Sequence, residues 1–311
     1  MLRGRIGIAL GSGGARGFAH VGVLRGLLEA GIEPEIVCGV SAGAVVGAAY
    51  ACDRLDAFER WSRELDRRQV MGLLDVSFRG GAVRGRRMIE QIGSLLPEGA
   101  RIDALQRPYG AVATDLESGR EIWLRDVSLL DAIHASCAVP GVVSPVRIDG
   151  RWLVDGGLVN PVPVTPCRAL GADTVIAVDL NTSLLARRFR GEAERPPAPP
   201  RDPSPHAGES SPGAFQQIWS ELRQRFVGSE PAPPGAPSPG LYDVLNNALE
   251  IMQVRITRSR LAGDPPDLLV TPRLPDFALL DLHRADDAIA EGRRAVTRAL
   301  SALRAGDPDS S

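Results

Sequence analysis

The chain has 311 residues, 44% of them hydrophobic, and a formal net charge of -2. That is enough for a sizeable core, and it leaves no global basic field to attract nucleic acid or anionic lipid. All 36 cationic side chains are arginines, so neither a P-loop lysine nor a pyridoxal Schiff-base lysine exists; the bias reads as compositional rather than functional.

Arg5 to Leu10 is a short apolar run that stops at Gly11, and Phe18 to Ala30 has helical spacing ended by Gly31. Glu35 to Val40 reads as a strand and Ala42 to Ala51 as an alanine-rich helix. This order predicts an α/β fold with a central, mostly parallel sheet flanked by helices on both faces. Tyr109 to Thr114 and Glu121 to Leu124 read as paired strands around Glu117-Ser118-Gly119. Arg151 to Val154 leads into Asp155, and Thr174 to Leu180 is a further buried strand.

After Arg190 the composition changes. Residues 191–240 are rich in Pro, Ser and Gly and read as a disordered or extended insert. Helical patterning resumes from Leu241 to Leu261, Asp267 to Val270 reads as a strand, and Asp281 to Leu303 as a closing helix. The expected organisation is one domain over 1–311, with its core at about 4–182 and 241–303.

Cys38, Cys52, Cys137 and Cys167 form no C-x-x-C pair and suggest neither a zinc site nor a disulfide framework. They read as reduced, buried thiols of a cytosolic protein. Ile6 to Leu10 is too short for a signal-peptide core, and nothing approaches the ~20 apolar residues that cross a bilayer. The expected location is the cytoplasm, with peripheral contact at the inner face of the membrane.

Three places carry chemistry. Gly39-Val40-Ser41-Ala42-Gly43 follows a strand and precedes a helix, as a nucleophile elbow requires: its neighbours must be small, and the helix points its positive end at the serine. The bland reading is a glycine-flanked serine capping a helix. Gly11-Ser12-Gly13-Gly14-Ala15-Arg16-Gly17 also joins a strand to a helix and offers backbone N–H groups to an anion. That anion is a tetrahedral oxyanion or a phosphate. A dinucleotide fingerprint fails in register, because Arg16 stands where the third glycine belongs. Asp155-Gly156-Gly157 alone reads as a turn aspartate and gains weight from the other two.

Together, in this order, the three motifs resemble the patatin-like phospholipase family. Ala135-Ser136-Cys137-Ala138-Val139-Pro140-Gly141, Asn160-Pro161-Val162-Pro163, Val175-Ile176-Ala177-Val178-Asp179 and the tail Leu280-Asp281-Leu282-His283-Arg284-Ala285 extend the match; the insert at 191–240 falls outside it. The resemblance implies a three-layer fold and a lipid acyl hydrolase with a Ser–Asp dyad. Ser41 would attack the ester, Asp155 would act as base, and the N–H groups of Gly13, Gly14, Ala15 and Arg16 would hold the oxyanion. Gly11, Gly17, Gly39, Gly43, Gly156 and Gly157 would shape the turns. Arg16 would orient its loop or add positive potential. The substrate would be a lipid or acyl ester, and no metal or cofactor is implied.

His283 follows Asp155 in the order that a Ser…Asp…His triad needs and is the one credible third member; His20 and His134 sit on predicted helices. A regulatory lipid-binding module without turnover is the alternative from another class. Within the insert, Phe215, Ile218, Trp219, Leu222 and Phe226 recur on one helical face, which packs on the core, covers the mouth of the site as a lid, or docks at a membrane.

Overall fold

The computed structural model describes residues 3–73, 85–182 and 241–305. The insert at 191–240 and its apolar face from Phe215 to Phe226 lie outside the described residues.

The strands are β1 (Ile6–Leu10), β2 (Ile36–Val40), β3 (Tyr109–Asp115), β4 (Glu121–Leu124), β5 (Val146–Ile148), β6 (Arg151–Asp155), β7 (Thr174–Val178) and β8 (Leu268–Val270). They form one sheet in the order β5-β6-β3-β2-β1-β7-β8, with β4 also paired to β3. The pairs from β3 through β8 are parallel, while β4, β5 and β6 add antiparallel pairs. The helices are α1 (Ala19–Glu29), α2 (Ala42–Ala51), α3 (Leu55–Glu64), α4 (Arg67–Leu73), α5 (Arg86–Gly93), α6 (Leu129–Ser136), α7 (Val164–Ala169), α8 (Leu241–Gly263) and α9 (Ala285–Ala305). The predicted α/β architecture, a mostly parallel sheet between helical layers, is the observed one.

The strands are short apolar runs because both faces are covered, as parallel sheets require. Alternate residues point to opposite sides. Ile8, Leu10, Val37, Ile176 and Val178 join the larger core with α1, α2 and α9. Ala9, Ile36, Cys38, Val40, Val175 and Ala177 join a second core with Val164 and Cys167 of α7. Helices α1 and α9 cross closely enough that a Cβ at Gly22 would strike the Ile289 carbonyl, and one at Gly292 the Ala19 carbonyl.

One feature of the register positions the site. Val40 pairs with Val112, and Asp155 pairs with the next residue along β3, Ala113. Strand β4 covers residues 111–114 of β3. A strand has two edges, so β2 and β6 share the other one and meet end to end. Ser41, just past β2, is thereby brought up to Asp155 at the end of β6.

Candidate active site

Strand β2 ends at Val40, α2 begins at Ala42, and Ser41 occupies the turn at φ 55°, ψ -124°. This conformation is strained for a residue with a side chain and costs on the order of 1–3 kcal/mol. The surroundings enforce it. A Cβ at Gly39 would strike the Gly43 carbonyl, and one at Gly43 would strike the Leu10 carbonyl. The Ser41 N–H donates to Ser136 Oγ at 2.9 Å, and that hydroxyl donates to the Val112 carbonyl at 2.6 Å. Ser136, the last residue of α6, thus ties the elbow to β3. The sequence placed Ser136 in a motif but assigned it no role; a serine in an apolar stretch gives no local signal of one.

Asp155 is buried. Its Oδ1 accepts the Gly157 N–H at 2.7 Å, while Oδ2 has no hydrogen-bond partner among the described residues. Its backbone is fixed from both sides: its N–H donates to the Ala138 carbonyl at 3.0 Å, and its carbonyl accepts from Thr114 Oγ1 at 2.8 Å. Burial pushes the carboxyl up to about 6, against the Ser41 hydroxyl and the Gly157 N–H, which favour its ionised form. No hydrogen bond of good geometry joins the two side chains here, yet the Ser41 hydroxyl is close enough to favour the ionised carboxylate. Such contacts commonly tighten only when substrate binds. His283 lies in the short turn Leu282–Arg284 and forms no hydrogen bond with either residue.

The glycine loop lies beside both. A Cβ at Gly17 would strike Ala42, and one at Gly157 would approach Ser12 at 3.3 Å. Among the described residues the Gly13 and Gly14 N–H groups have no acceptor. Ala15 and Arg16 correct the expectation: the Ala15 N–H donates to the Leu279 carbonyl at 2.9 Å and the Arg16 N–H to the Gly13 carbonyl at 3.2 Å. The Arg16 N–H is engaged because the loop closes at once into a 3-10 turn over Gly14–Phe18, and the Ala15 N–H because the segment at Leu279 lies against the loop. The first N–H groups of α2 have no intrahelical acceptor either and add positive potential beside Ser41.

Arg16 is 1% exposed, and its side chain runs inward. Nη1 meets Glu250 Oε1 and Nη2 meets Asn181 Oδ1, each at 3.1 Å. Ser12 Oγ donates to Gln253 Oε1 at 3.2 Å, and Asn181 Nδ2 donates to Ser12 Oγ at 3.1 Å. The neutral ring of His20, held down to about 4 by burial, donates from Nε2 to the Gly11 carbonyl at 2.8 Å. The loop is therefore gripped from α1, from the end of β7 and from α8.

Ser41 and Gly14 both line a cavity of about 110 Å³. Its walls include Phe18, Phe58, Trp61, Met88, Val142 and Leu280, with no charged side chain. Sequence reasoning missed this wall, because α3 and α5 supply much of it from segments with no motif. Among the described residues no cluster of three His, Cys, Asp or Glu could hold a metal ion, and no helix is long and apolar enough to cross a membrane.

A glycine loop that closes into a 3-10 turn, a strained serine between a strand and a helix, and a buried aspartate thus meet over a mostly parallel sheet. The sequence pattern of the patatin-like phospholipases matches residues 8–168. The chain is 37% identical to an NTE family protein of Mycobacterium tuberculosis, itself described as uncharacterized, over 98% of this chain and 94% of that one. It is 34% identical to human patatin-like phospholipase domain-containing protein 6 over 57% of this chain, which spans 13% of that larger protein. VipD of Legionella pneumophila superposes with a TM-score of 0.43 at 14% identity, over 96% of this chain and 66% of that one. The chain belongs to the patatin-like phospholipase family.

Proposed function

We propose that this protein is a serine acyl-ester hydrolase acting on lipid esters through a Ser41–Asp155 dyad. The observation that carries the reading is the strained Ser41 placed by the shared edge of β3 against a buried carboxylate raised to about 6. A base poised near neutrality is what proton abstraction at physiological pH needs. Ser41 Oγ attacks the ester carbonyl and its proton passes to Asp155. The Gly13 and Gly14 N–H groups receive the negative oxygen. Asp155 returns the proton to the departing alkoxide, leaving an acyl group on Ser41. Water then attacks, giving its proton to Asp155, and the fatty acid leaves as Ser41 is restored. The apolar cavity takes the acyl chain; its size is comparable with apolar cavities of ~150 Å³ that hold a benzene ring. The protein works without a metal in this scheme, in the cytoplasm or at the inner face of the membrane.

A fluorophosphonate probe tests the reading. It should label Ser41 stoichiometrically, with ester hydrolysis lost in parallel. An active protein that resists labelling, or labelling at another residue, would remove the dyad; a folded protein that neither labels nor hydrolyses any ester would leave the regulatory module. The glycine loop has its own test. Gly14 sits at φ +55°, and a Cβ there would strike Leu279, so Gly14→Val displaces the donors. Its kcat should fall by about 10²–10³, with KM little changed, because the oxyanion exists only beyond the ground state. An effect on KM alone would make the loop a substrate-binding element instead.

A further inference from the structure

Helix α8 has two faces, and the site uses one of them. Inward, Glu250 and Gln253 hold Arg16 and Ser12, and Val254 and Thr257 are buried. Outward, Val244, Leu245, Ala248, Ile251 and Met252 recur at i, i+1, i+4, i+7 and i+8, on one side of the helix. They are exposed, Leu245 by 56% and Met252 by 47%. The same side continues through Arg255 and Arg258, both exposed. Neither makes an ion pair among the described residues, whereas Arg260, further round the helix, pairs with Glu121 at 2.8 Å. No acidic residue lies on this side between 244 and 259.

An apolar strip that no described residue covers, ending in two arginines with no ion-pair partner among the described residues, has the composition of an interfacial helix. Its aliphatic side chains enter the acyl boundary, and its guanidinium groups meet phosphate oxygens. We propose that the outward face of α8 docks on an anionic phospholipid surface. The proposal rests on the acyl-hydrolase reading, since it names the state in which the substrate is met. Charge selects this occupant. A second copy of the same face would bring Arg255 and Arg258 against their own kind. Within the insert only the stretch 215–226 is apolar enough to cover this strip, and it carries Arg223 and Arg225 against one acid, Glu221, so that stretch adds positive charge although the insert as a whole does not. A phosphate layer supplies the opposite sign. Docking would put the catalytic loop about 10 Å from the lipid, one helix diameter, because Glu250 and Gln253 grip that loop from the opposite face.

The test is co-sedimentation of the full chain with vesicles of phosphatidylcholine, alone or mixed with phosphatidylglycerol. It is run in a Ser41→Ala background so that no lipid is consumed. The parent should bind the mixed vesicles in a salt-sensitive manner. Leu245→Ser with Met252→Ser should weaken binding at least about tenfold. Arg255→Gln with Arg258→Gln should abolish the preference for phosphatidylglycerol. With Ser41 restored, both pairs should hydrolyse a short water-soluble ester as the wild type does. A parent that binds neither vesicle overturns the proposal. So does normal binding by the α8 variants when Phe215→Ser, Trp219→Ser and Phe226→Ser together abolish it. A large fall in Tm for Leu245→Ser with Met252→Ser also overturns it, because that face would then be covered by protein. Failure of the hydrolase reading looks different: the soluble ester is not cleaved while vesicle binding persists.

Discussion

Ser41→Ala protein is expected to fold normally and to hydrolyse esters only at background, a loss on the order of 10⁴–10⁶ in kcat. The elbow motivates both halves of this result. Ser41 contributes its backbone N–H to the bond with Ser136, and alanine keeps that bond. Alanine also inherits the strained φ of 55°, so stability should change little. Ser41→Gly gives a second readout. Glycine adopts positive φ without steric penalty but loses about 0.5–1 kcal/mol more entropy on folding, so this variant should be equally inactive yet melt above Ser41→Ala, by the part of the ~1–3 kcal/mol strain that exceeds that cost. Retained turnover in well-folded Ser41→Ala protein would sink the dyad. Equal melting temperatures for the two variants would show that the elbow stores no more strain than glycine's entropy cost of about 0.5–1 kcal/mol.

What the sequence disclosed, and what it hid, follows from the range of the interactions. Strand-turn-helix units such as Ile36–Val40, Ser41 and Ala42–Ala51 are local, and glycines at fixed offsets mark them. The hairpin of β3 and β4 is local too, turning where Glu117-Ser118-Gly119 predicts. The meeting of β2 and β6 along one edge of β3 is not local. The resemblance of the motifs implied their cooperation, while only the register supplies its geometry. Arg16 illustrates the limit. A wholly buried arginine is tolerable only with partners, and its acid, Glu250, lies 234 residues away on a helix that begins beyond the insert. Nothing in the loop's own sequence points there. The spacing also cannot tell a free N–H from an engaged one, which is why Ala15 and Arg16 read as oxyanion donors until the Leu279 and Gly13 carbonyls were seen to occupy them.

Asp155→Asn should be nearly as inactive as Ser41→Ala, yet more stable than the wild type at neutral pH. An aspartate with an ordinary value of 3.8 that is raised to about 6 by burial binds its proton more tightly in the folded chain. The folded state is therefore favoured fully below pH 4, and that advantage is lost as pH rises through 6. Above pH 7 the buried carboxylate costs about 3 kcal/mol, from a shift of roughly two units. An amide of the same shape has no such charge and can keep the Gly157 N–H bond. The variant should thus gain up to about 3 kcal/mol at pH 8 and nothing at pH 4. His20 acts in the opposite sense over the same interval. Its ring, lowered from 6.5 to about 4, disfavours folding as pH falls and the unfolded chain takes up the proton. In the wild type the two slopes offset one another, so stability should be nearly flat from pH 6.5 to 4 as far as these groups decide it. Asp155→Asn exposes the His20 slope alone, and its denaturant midpoint should fall steadily across that interval. In the wild type, kcat/KM should decline below about pH 6 as Asp155 is protonated. If Asp155→Asn were destabilised at pH 8, the carboxylate would be held by interactions stronger than its burial penalty. A raised Asp155 could then no longer be the base that activates Ser41.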